Sequence, residues 1–347
     1  MDEVKGIHVD RVSAWYQQHA PDTTLPLRFS LIVGGHSNLT YCVTDAAGQR
    51  TVLRRPPLGA VLATAHDMGR EYKIISSLGP TQVPVPPTVG LCNDESVNDA
   101  PFYVMNFVEG LVLDEAEITR EHFDETARGR IGEEVIAVLA DLHAVDPDAV
   151  GLGKLGRKES YLPRQLRRWR EQWEKSKTRE LPAMEQVHDA LEAGIPPQEG
   201  ASIVHGDYRL GNMLTAADGH IAAVLDWELC TLGDPLADLG YLMNNWAEPG
   251  DEGPTARGAA ISPTSIPGFP SRSEMLRRYE ARTGRSTEQI DYYRAFQYWR
   301  LAAIVEGVMA RYLKGVMGNA ANTDLFRTQI DGLAESAVDM LRRLGAL

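Results

Sequence analysis

The sequence predicts an α+β protein of two lobes, with a β-rich N-lobe followed by a mostly helical C-lobe. Short apolar runs that alternate with turn residues fill most of residues 1–108, which is typical of an antiparallel sheet. After Gly110 the apolar residues recur with the spacing of amphipathic helices. We therefore expect residues 1–108 to form one lobe and residues 109–347 the other, with a hinge at residues 105–110.

Each element of the N-lobe is predicted from a periodicity and from the turn residues beside it. Val12 and Trp15 share one face of a short amphipathic helix near the start of the chain. Gly34 and Gly35 supply a turn of a β-meander, and Gly79 stops a second helix. The predicted helices span 8–19 and 62–78, and the predicted strands span 27–33, 38–44, 49–55, 86–92 and 101–108.

The C-lobe contains long helical periods and one loop-like interruption. Ile131, Val135 and Leu142 lie on one helical stripe, as expected of a helix that packs on a core. Residues 248–273 are rich in proline, glycine and serine, and this composition suits a lid over a ligand site. The predicted helices span 120–144, 161–179, 287–314 and 322–345.

Composition and charge narrow the class of protein. The chain has 347 residues, 43% of them hydrophobic, and a formal net charge of -13, which predicts a folded acidic protein rather than a nucleic-acid binder. Cys42, Cys92 and Cys230 form no CxxC pair, which argues against a disulfide framework or a zinc knuckle. No apolar run approaches the roughly 18 residues that suggest a membrane span. We expect a cytoplasmic protein with no nucleic-acid and no membrane partner.

The stretch IVHGDYRLGNML, at residues 203–214, concentrates a carboxylate, a cation and an amide after a short apolar run. Asn212 lies five residues after Asp207, and Asp226 ends a later apolar run. A base Asp, an Asn five residues on and a metal-binding Asp on a later strand follow the order of phosphoryl-transfer sites. We therefore predict Asp207 as the base, and Asn212 and Asp226 as ligands of Mg²⁺.

The turn between the two apolar runs determines which of these residues meet. A two-residue Asp-Gly turn at residues 218–219 pairs Asn212 with Leu225, and this pairing makes Asp226 a neighbour of Asn212. Asp, Gly and Asn are common turn formers, so the hypothesis rests on the compound pattern rather than on any one of them.

Two further polar residues flank the predicted base. Arg209 lies two positions after Asp207, where a cation could neutralise charge on a transferring phosphoryl group. The alternative for Arg209 is a surface ion pair. We interpret His205 as a polar anchor of the loop rather than as a general base.

Four motifs carry a resemblance to a known family. HGDYRLGN at residues 205–212 and VLDWELCTLGDPLADLGYL at residues 224–242 resemble the aminoglycoside phosphotransferase and choline kinase group, which shares the protein-kinase-like fold. With VLRRPP and YVMNFVEG, they more narrowly resemble the kinase-like domain of acyl-CoA dehydrogenase family members 10 and 11 and its bacterial stand-alone relatives. The resemblance implies a phosphotransferase that uses ATP or GTP with Mg²⁺ and a hydroxyl acceptor.

A strand cation and a helix glutamate are the first residues that the resemblance assigns. In this fold the cation holds the nucleotide phosphates, and the matching pair here is Arg54 and Glu71. Lysine is common at that strand position, but the fork of an arginine suits phosphate and carboxylate alike. Arg55 is the alternative, although side chains alternate along a strand and only one of the two faces the cleft.

The resemblance also implies where the nucleotide binds. Ser37 and Asn38, in the turn GGHSN, would contact the phosphates, and the alternative for this segment is a plain turn. The adenine is expected to bond the backbone of Asn106 and Val108 at the hinge.

Three acidic residues within the motif at 224–242 receive other roles. Asp234 and Asp238 are expected to bond the backbone of the loop, so we do not assign them to catalysis. Glu228 is considered as a ligand of a second Mg²⁺.

The acceptor is the part of the function for which the sequence leaves alternatives open. The basic helix at 161–179 is either a solvated face or a patch for an anionic acceptor, such as a hydroxyacyl-CoA-type compound. Trp169 and Trp173 lie one turn apart there and either pack in the core or stack on a ring. The basic residues are Arg164, Arg167, Arg168, Arg170, Lys175, Lys177 and Arg179.

We consider three alternative functions. An aminoglycoside phosphotransferase would need clustered carboxylates for its polyamine substrate, and residues 245–275 offer few. A non-catalytic nucleotide-binding regulator would be expected to lack Asp207, Asn212 or Asp226, and all three are present. A metal-dependent phosphohydrolase would need more histidine and aspartate ligands than this cluster offers.

Overall fold

The computed structural model describes residues 4–32, 38–58, 67–198, 200–251, 262–315 and 323–347. The chain divides into two compact units, Met1–Gly110 with Ala222–Leu229, and Leu111–Ile221 with Cys230–Leu347. This differs from the predicted division at residue 108 because residues 222–229, which the sequence places in the second lobe, pack within the first unit. Such a return of the chain leaves no local sequence signal.

The first unit is built on a five-stranded antiparallel sheet. The strands lie in the order β1-β2-β3-β5-β4, so the last two strands exchange places relative to the chain. In this unit Thr40 pairs with Arg54, and Arg54 pairs with Tyr103. The elements are α1 (Val9–His19), β1 (Arg28–Leu31), β2 (Leu39–Thr44), β3 (Arg50–Arg55), α2 (Met68–Leu78), β4 (Thr88–Cys92), α3 (Glu95–Asn98) and β5 (Phe102–Asn106).

Helix α1 covers one face of this sheet. Trp15 and Tyr16 are buried, as the amphipathic period predicts, and the Trp15 ring meets Phe102 edge-on at 5.0 Å. Helix α2 begins at an N-cap, because the Asp67 carboxylate accepts the Arg70 N–H at 2.9 Å. Residues 62–66 of the predicted second helix lie outside the described residues.

The second unit is mostly helical. Helix α10 packs against α6, α7, α8 and α11, and its Tyr293, Phe296 and Trp299 are buried. None of the described helices combines the length and the apolarity that crossing a membrane needs. The elements are α4 (Ala116–His122), α5 (Glu125–Ala144), α6 (Tyr161–Ser176), α7 (Pro182–Ala193), β6 (Ser202–Val204), β7 (Met213–Thr215), β9 (Thr231–Gly233), α8 (Leu236–Asn245), α9 (Arg272–Thr283), α10 (Ile290–Leu313) and α11 (Thr323–Arg343). Strand β8 (Ile221–Val224) begins at the end of a segment of this unit, and its residues from Ala222 onward belong to the first unit.

Sequence periodicity did not predict helices α4, α7, α8 and α9. Helix α8 is buried on nearly every side, and its buried residues include Asp238, so its burial does not follow a single apolar face. Helix α9 begins inside the segment predicted as a loop, with Ser271 accepting the Glu274 N–H at 3.2 Å as its N-cap. Residues 252–261 of the loop predicted at 248–273 lie outside the described residues.

A buried carboxylate holds the loop that follows β6. Asp238 Oδ2 accepts the His205 N–H at 2.6 Å, and Oδ1 accepts the Gly206 N–H at 2.8 Å. Asp234 accepts the Leu236 N–H at 3.1 Å and the Tyr293 hydroxyl at 2.7 Å. The two aspartates therefore bond loop and helix atoms, as expected for structural residues.

His143 completes the surroundings of Asp238 and is itself fully enclosed. Its Nε2 lies 3.4 Å from Asp238 Oδ2, and its Nδ1 lies 2.8 Å from the Tyr279 hydroxyl. A neutral ring with the proton on Nε2 donates to the carboxylate and accepts from the phenol. Burial lowers the pKa of His143 below its ordinary value, and this effect outweighs the attraction of Asp238.

We predict that Gly240→Ala destabilises the second unit by about 1–3 kcal/mol, because overpacking a dense core forces shifts of this size. A Cβ at this position of α8 would lie 2.8 Å from the Tyr293 Cβ and 3.0 Å from its carbonyl carbon. Urea unfolding measures the change.

Gly129→Ala is the matched control, because a Cβ on this α5 residue would meet its nearest atom at 3.4 Å. That variant should keep or slightly raise stability, since alanine is the better helix former. Equal stability losses in the two variants would contradict the close approach of α8 and α10.

We predict that His143 makes the protein lose stability as the pH falls below about 6.5. The unfolded histidine then binds a proton that the folded one, with its lowered pKa, does not take up. This proton uptake removes up to about 1.4 kcal/mol per pH unit. Urea unfolding of the wild type and His143→Gln at about pH 7.5 and about pH 5.5 should show a smaller loss in the variant. A pH dependence that is the same in both proteins would show that His143 does not titrate on unfolding.

Candidate active site

In the first unit, Arg54 lies between two carboxylates. Its Nε is 3.2 Å from Glu71 Oε2, and its Nη2 donates to Asp226 Oδ1 at 2.7 Å. The Arg54 and Glu71 side chains are only 14% and 4% exposed. The Tyr103 hydroxyl donates to Glu71 at 2.9 Å, and the Asn38 amide lies 3.5 Å from the other Glu71 oxygen. The structure thus brings together four of the residues that the sequence singled out.

Burial and charge oppose each other in this cluster. Burial raises the pKa of Glu71, and the attraction of Arg54 counteracts this without cancelling it. For Arg54, burial alone would lower the pKa. The attraction of Tyr103, Glu71 and Asp226 outweighs that burial, so the pKa of Arg54 is raised. Arg54 therefore remains a buried cation at any physiological pH.

The choice between Arg54 and Arg55 is decided by the alternation of side chains along β3. Arg55 points to the other face of the strand, where it donates to the carbonyls of Gly6 and Asn98. Only Arg54 meets the carboxylates of Glu71 and Asp226. Arg54 is therefore the strand cation that pairs with the helix glutamate.

Asp226 has an unusual backbone conformation, and one of its carboxylate oxygens has no partner among the described residues. Its φ of 65° lies in the left-handed region, which costs a non-glycine residue free energy. With Oδ1 paired to Arg54, Oδ2 bonds none of the described residues. Three carboxylate oxygens lie within 4.8 Å of one another, one each from Glu71, Asp226 and Glu228. Carboxylate oxygens are suitable ligands for Mg²⁺, so this donor set fits a divalent cation.

In the second unit, the Asp207 carboxylate receives hydrogen bonds from several side chains. Asn212 Nδ2 donates to Asp207 Oδ2 at 2.7 Å and to the Asp207 carbonyl at 2.8 Å. Arg209 Nε donates to Asp207 Oδ1 at 3.3 Å. With its Nδ2 used in this way, Asn212 keeps Oδ1 for another partner, and that oxygen bonds none of the described residues.

Hydrogen bonds to His205 and Arg300 hold the loop around Asp207 in place. His205 is fully buried, and its Nδ1 accepts the Asp207 N–H at 3.2 Å, in agreement with the anchoring role predicted for it. The guanidinium of Arg300 binds the Gly206 carbonyl at 3.2 and 3.3 Å and Gln297 at 2.8 Å. Arg300 lies on α10, so this helix helps to set the position of the loop.

Sequence reasoning missed Tyr241. Burial raises the pKa of this phenol, and the charge of Asp207, to which the phenol is hydrogen-bonded, raises it further. Tyr241 lies three residues after Asp238 on α8, so both face the loop. That spacing was the one available signal, but helix α8 itself was not predicted.

The turn after β7 is longer than predicted. The Ala216 N–H donates to the His220 carbonyl at 3.0 Å, and Gly219 has a φ of 89°, so the turn contains three residues rather than two. Asn212 precedes β7 in a 3-10 turn, Leu210–Asn212, instead of pairing as the first residue of a hairpin. The extra turn residue changes the register on which the predicted Asn212–Leu225 pairing depended.

At the predicted hinge, one carbonyl is left without a strand partner. The Asn106 N–H donates to the Pro87 carbonyl at 2.8 Å. Pro87 has no N–H to return, so the Asn106 carbonyl receives no hydrogen bond from that strand. No described residue bonds the Val108 N–H. Ser37, Gly34 and Gly35 lie outside the described residues.

The basic segment 161–179, which contains helix α6, carries charged side chains in ion pairs and an aromatic side chain in the core. Arg170, Lys177 and Arg179 form ion pairs with carboxylates of the second unit, as expected of a charged face. Trp173 is buried and therefore packs in the core.

Trp169 has a different environment on the same helix. It is partly exposed, and the guanidinium carbons of Arg168 and Arg300 lie 5.3 and 5.4 Å from its ring centre. Arg300 also binds Gly206, so these side chains connect α6 to the loop that holds Asp207.

Known proteins resemble the chain over most of its length. Acyl-CoA dehydrogenase family member 10 of Mus musculus is 33% identical over 325 residues, 93% of this chain and 30% of that protein. Acyl-CoA dehydrogenase family member 11 of Rattus norvegicus is 32% identical over 342 residues, 96% of this chain and 43% of that protein. The chain thus spans less than half the length of these curated relatives.

Solved structures share the fold. A Ralstonia eutropha protein, provisionally named an aminoglycoside phosphotransferase, is 35% identical with a TM-score of 0.81, covering 96% of this chain and 98% of that one. Aminoglycoside phosphotransferase APH(4)-Ia, in a complex with AMP-PNP and hygromycin B, is 14% identical with a TM-score of 0.61, covering 95% and 98%. At that identity the second likeness shows the fold alone.

The family model described as the phosphotransferase enzyme family matches residues 28–268, which include the clusters around Arg54 and Asp207. The match confirms the resemblance that the motifs carried, and the two-lobe, kinase-like fold predicted from them agrees with the solved neighbours. The chain belongs to the phosphotransferase enzyme family.

Proposed function

We propose that the protein transfers the γ-phosphate of ATP or GTP to the hydroxyl of a small molecule, with Mg²⁺ as cofactor. The observation that carries the proposal is the Asp207 carboxylate, held at 2.7 Å by Asn212 and at 3.3 Å by Arg209. A carboxylate fixed in this way can orient the acceptor hydroxyl and take its proton as the oxygen attacks phosphorus.

The nucleotide is proposed to bind through the first unit. Arg54, kept charged and oriented by Glu71, would hold the phosphates, with Ser37 and Asn38 as further phosphate contacts. The Asn106 carbonyl and the Val108 N–H offer an acceptor and a donor to the edge of a purine. Solved neighbours in complex with AMP-PNP or GDP are consistent with a nucleotide but leave open which one is used.

Asn212 and Asp226 are proposed to hold Mg²⁺, with Glu228 as a further candidate ligand. The Asn212 Oδ1 and the Asp226 Oδ2 are oxygen donors that bond none of the described residues. When bound, the ion would neutralise charge on the phosphates. Arg209 is proposed to act on the same charge as it develops on the transferring group.

For the acceptor we propose an anionic hydroxy compound, for which a hydroxyacyl-CoA is one candidate. Arg300, whose guanidinium binds the Gly206 carbonyl beside Asp207, and Arg168 are both cations in contact with the Trp169 ring. The curated relatives are named as acyl-CoA dehydrogenase family members, which is consistent with an acyl-CoA-type acceptor. An aminoglycoside is the second candidate, favoured by the solved neighbours with that name.

We predict that two aspartate variants separate chemistry from nucleotide binding. Asp207→Asn should lower turnover by about 10²–10⁴-fold, the usual contribution of a general base, and should keep the thermal shift with MgATP. Asp226→Ala should lose the magnesium-dependent part of that shift, because an oxygen ligand is removed. Differential scanning fluorimetry and an assay of nucleotide consumption over a panel of hydroxyacyl-CoAs, aminoglycosides, choline and sugars give the two readouts.

Asp218→Asn is the matched control, since this carboxylate is exposed at the tip of the turn after β7 and should leave both readouts unchanged. Turnover that survives in Asp207→Asn would refute the assignment of the base. A wild-type protein that shows no shift with ATP or GTP at any Mg²⁺ concentration would refute the proposed function.

We predict that Arg209→Ala lowers kcat by about 10²–10³-fold while nucleotide affinity changes little, because its charge is needed most in the transition state. Arg209→Lys keeps a cation without the Nε donor to Asp207 and should recover part of the loss. Steady-state kinetics and equilibrium nucleotide binding distinguish the cases. Unchanged kcat with weakened nucleotide binding would make Arg209 a ground-state phosphate contact instead.

A further inference from the structure

One contact of Arg54 uses an oxygen that a metal ion would also use. Arg54 Nη2 donates to Asp226 Oδ1 at 2.7 Å, and this is the one hydrogen bond that the Arg54 side chain makes with the described residues. Asp226 is also a carboxylate that we propose as a ligand of Mg²⁺. The structure therefore places an arginine cation on one oxygen of a proposed metal ligand.

The two carboxylate contacts of Arg54 differ in how far they are buried. Glu71 is 4% exposed, and its Oε2 lies 3.2 Å from Arg54 Nε. Asp226 is 30% exposed. Removing one partner of a buried ion pair is strongly destabilising, whereas an ion pair that solvent reaches contributes little to stability. The contact with Asp226 is therefore the one that Arg54 can give up while it keeps Glu71.

The backbone of Asp226 provides a second, independent observation. Its φ of 65° is a conformation that costs a non-glycine residue free energy, so surrounding contacts must maintain it. Among the described residues, the Asp226 carboxylate has a hydrogen bond only from Arg54. Arg54 thus supplies this carboxylate with the positive charge that a bound metal ion would supply.

A metal ion at this carboxylate would meet Arg54 as a like charge. Three carboxylate oxygens lie within 4.8 Å of one another, one each from Glu71, Asp226 and Glu228, and Arg54 contacts two of these residues. Like charges at such separations repel, and the repulsion is stronger in a partly buried site than in water. A divalent ion carries twice the charge of a guanidinium, so it attracts the Asp226 carboxylate more strongly.

We propose that Arg54 and a divalent metal ion compete for Asp226, and that metal binding releases Arg54 Nη2 from this carboxylate. The proposal rests on the proposed role of Asp226 as a metal ligand. Glu71 keeps its contact with Nε during the exchange, so the released nitrogen stays in the cluster and can donate to a nucleotide phosphate. A lysine has one nitrogen for both carboxylates and lacks the separate contacts that this exchange uses.

The first test measures metal binding without nucleotide. The full-length chain is titrated with Mn²⁺, and the free ion is followed by electron paramagnetic resonance. Arg54→Gln removes the competing cation and keeps a donor for Glu71. We expect this variant to bind Mn²⁺ at least about tenfold more tightly than the wild type does, equal to about 1.4 kcal/mol.

Arg50→Gln is the matched control for this titration. Arg50 lies on the same strand, β3, but pairs with Glu109 instead of with Asp226. Its loss removes the same charge from the chain, so Mn²⁺ should bind this variant as it binds the wild type. Equal or weaker Mn²⁺ binding by Arg54→Gln, or equal tightening in the two variants, would overturn the proposal.

The second test uses the wild-type chain, so it does not depend on the folding of a variant. The protein is labelled with ¹⁵N-arginine and titrated with Mg²⁺, and the Arg54 guanidinium signals are followed by NMR. We expect these signals to shift in a saturable way as Nη2 leaves Asp226. Arg54 signals that stay unchanged throughout the titration would overturn the proposal.

Neither test contains a nucleotide, so failure here is distinguishable from failure of the proposed function. A protein in which Arg54 does not compete with the metal would still show its thermal shift with MgATP. A protein that binds no nucleotide could still show the competition for Asp226.

Discussion

The buried carboxylate of Asp238 is the interaction on which the geometry of the loop after β6 depends. Its two oxygens accept the N–H groups of His205 and Gly206, and these bonds restrain the backbone that leads into Asp207. A carboxylate without solvent must fill its lone pairs, and His143 contributes a third donor as a neutral ring. Arg300 then holds the Gly206 carbonyl, so the residue immediately before Asp207 is bonded on both its N–H and its carbonyl.

In the first unit, two carboxylates balance the charge of a buried arginine. Arg54 is buried between Glu71 and Asp226, so its charge is compensated before any ligand arrives. A phosphate group would share this cation with the carboxylates rather than meet it alone. The arginine fork is suited to this arrangement, because its separate nitrogens bond different acceptors at the same time. A lysine would offer the same acceptors only one ammonium nitrogen.

Several parts of the site were predictable from the sequence because short-range spacing determines them. Asp207 and Asn212 are five residues apart, and a single turn of chain brings their side chains to 2.7 Å. The alternation of β3 separates Arg54 from Arg55, which the strand pattern required. By contrast, the turn at 216–220 has one residue more than predicted, and Tyr241 was missed because helix α8, which is buried on nearly every side, was not predicted.

The sequence by itself determined the family and the two-lobe α+β fold, and it indicated the carboxylates, amides and cations of the proposed site. These follow from motifs whose spacing is local, and the family match and solved neighbours agree with the fold. Only the tertiary structure decided that residues 222–229 pack within the first unit, that Arg54 pairs with Asp226, and that Arg55 donates to the carbonyls of Gly6 and Asn98. Each of these depends on contacts between residues far apart in the chain, for which burial and packing, rather than periodicity, select the partner.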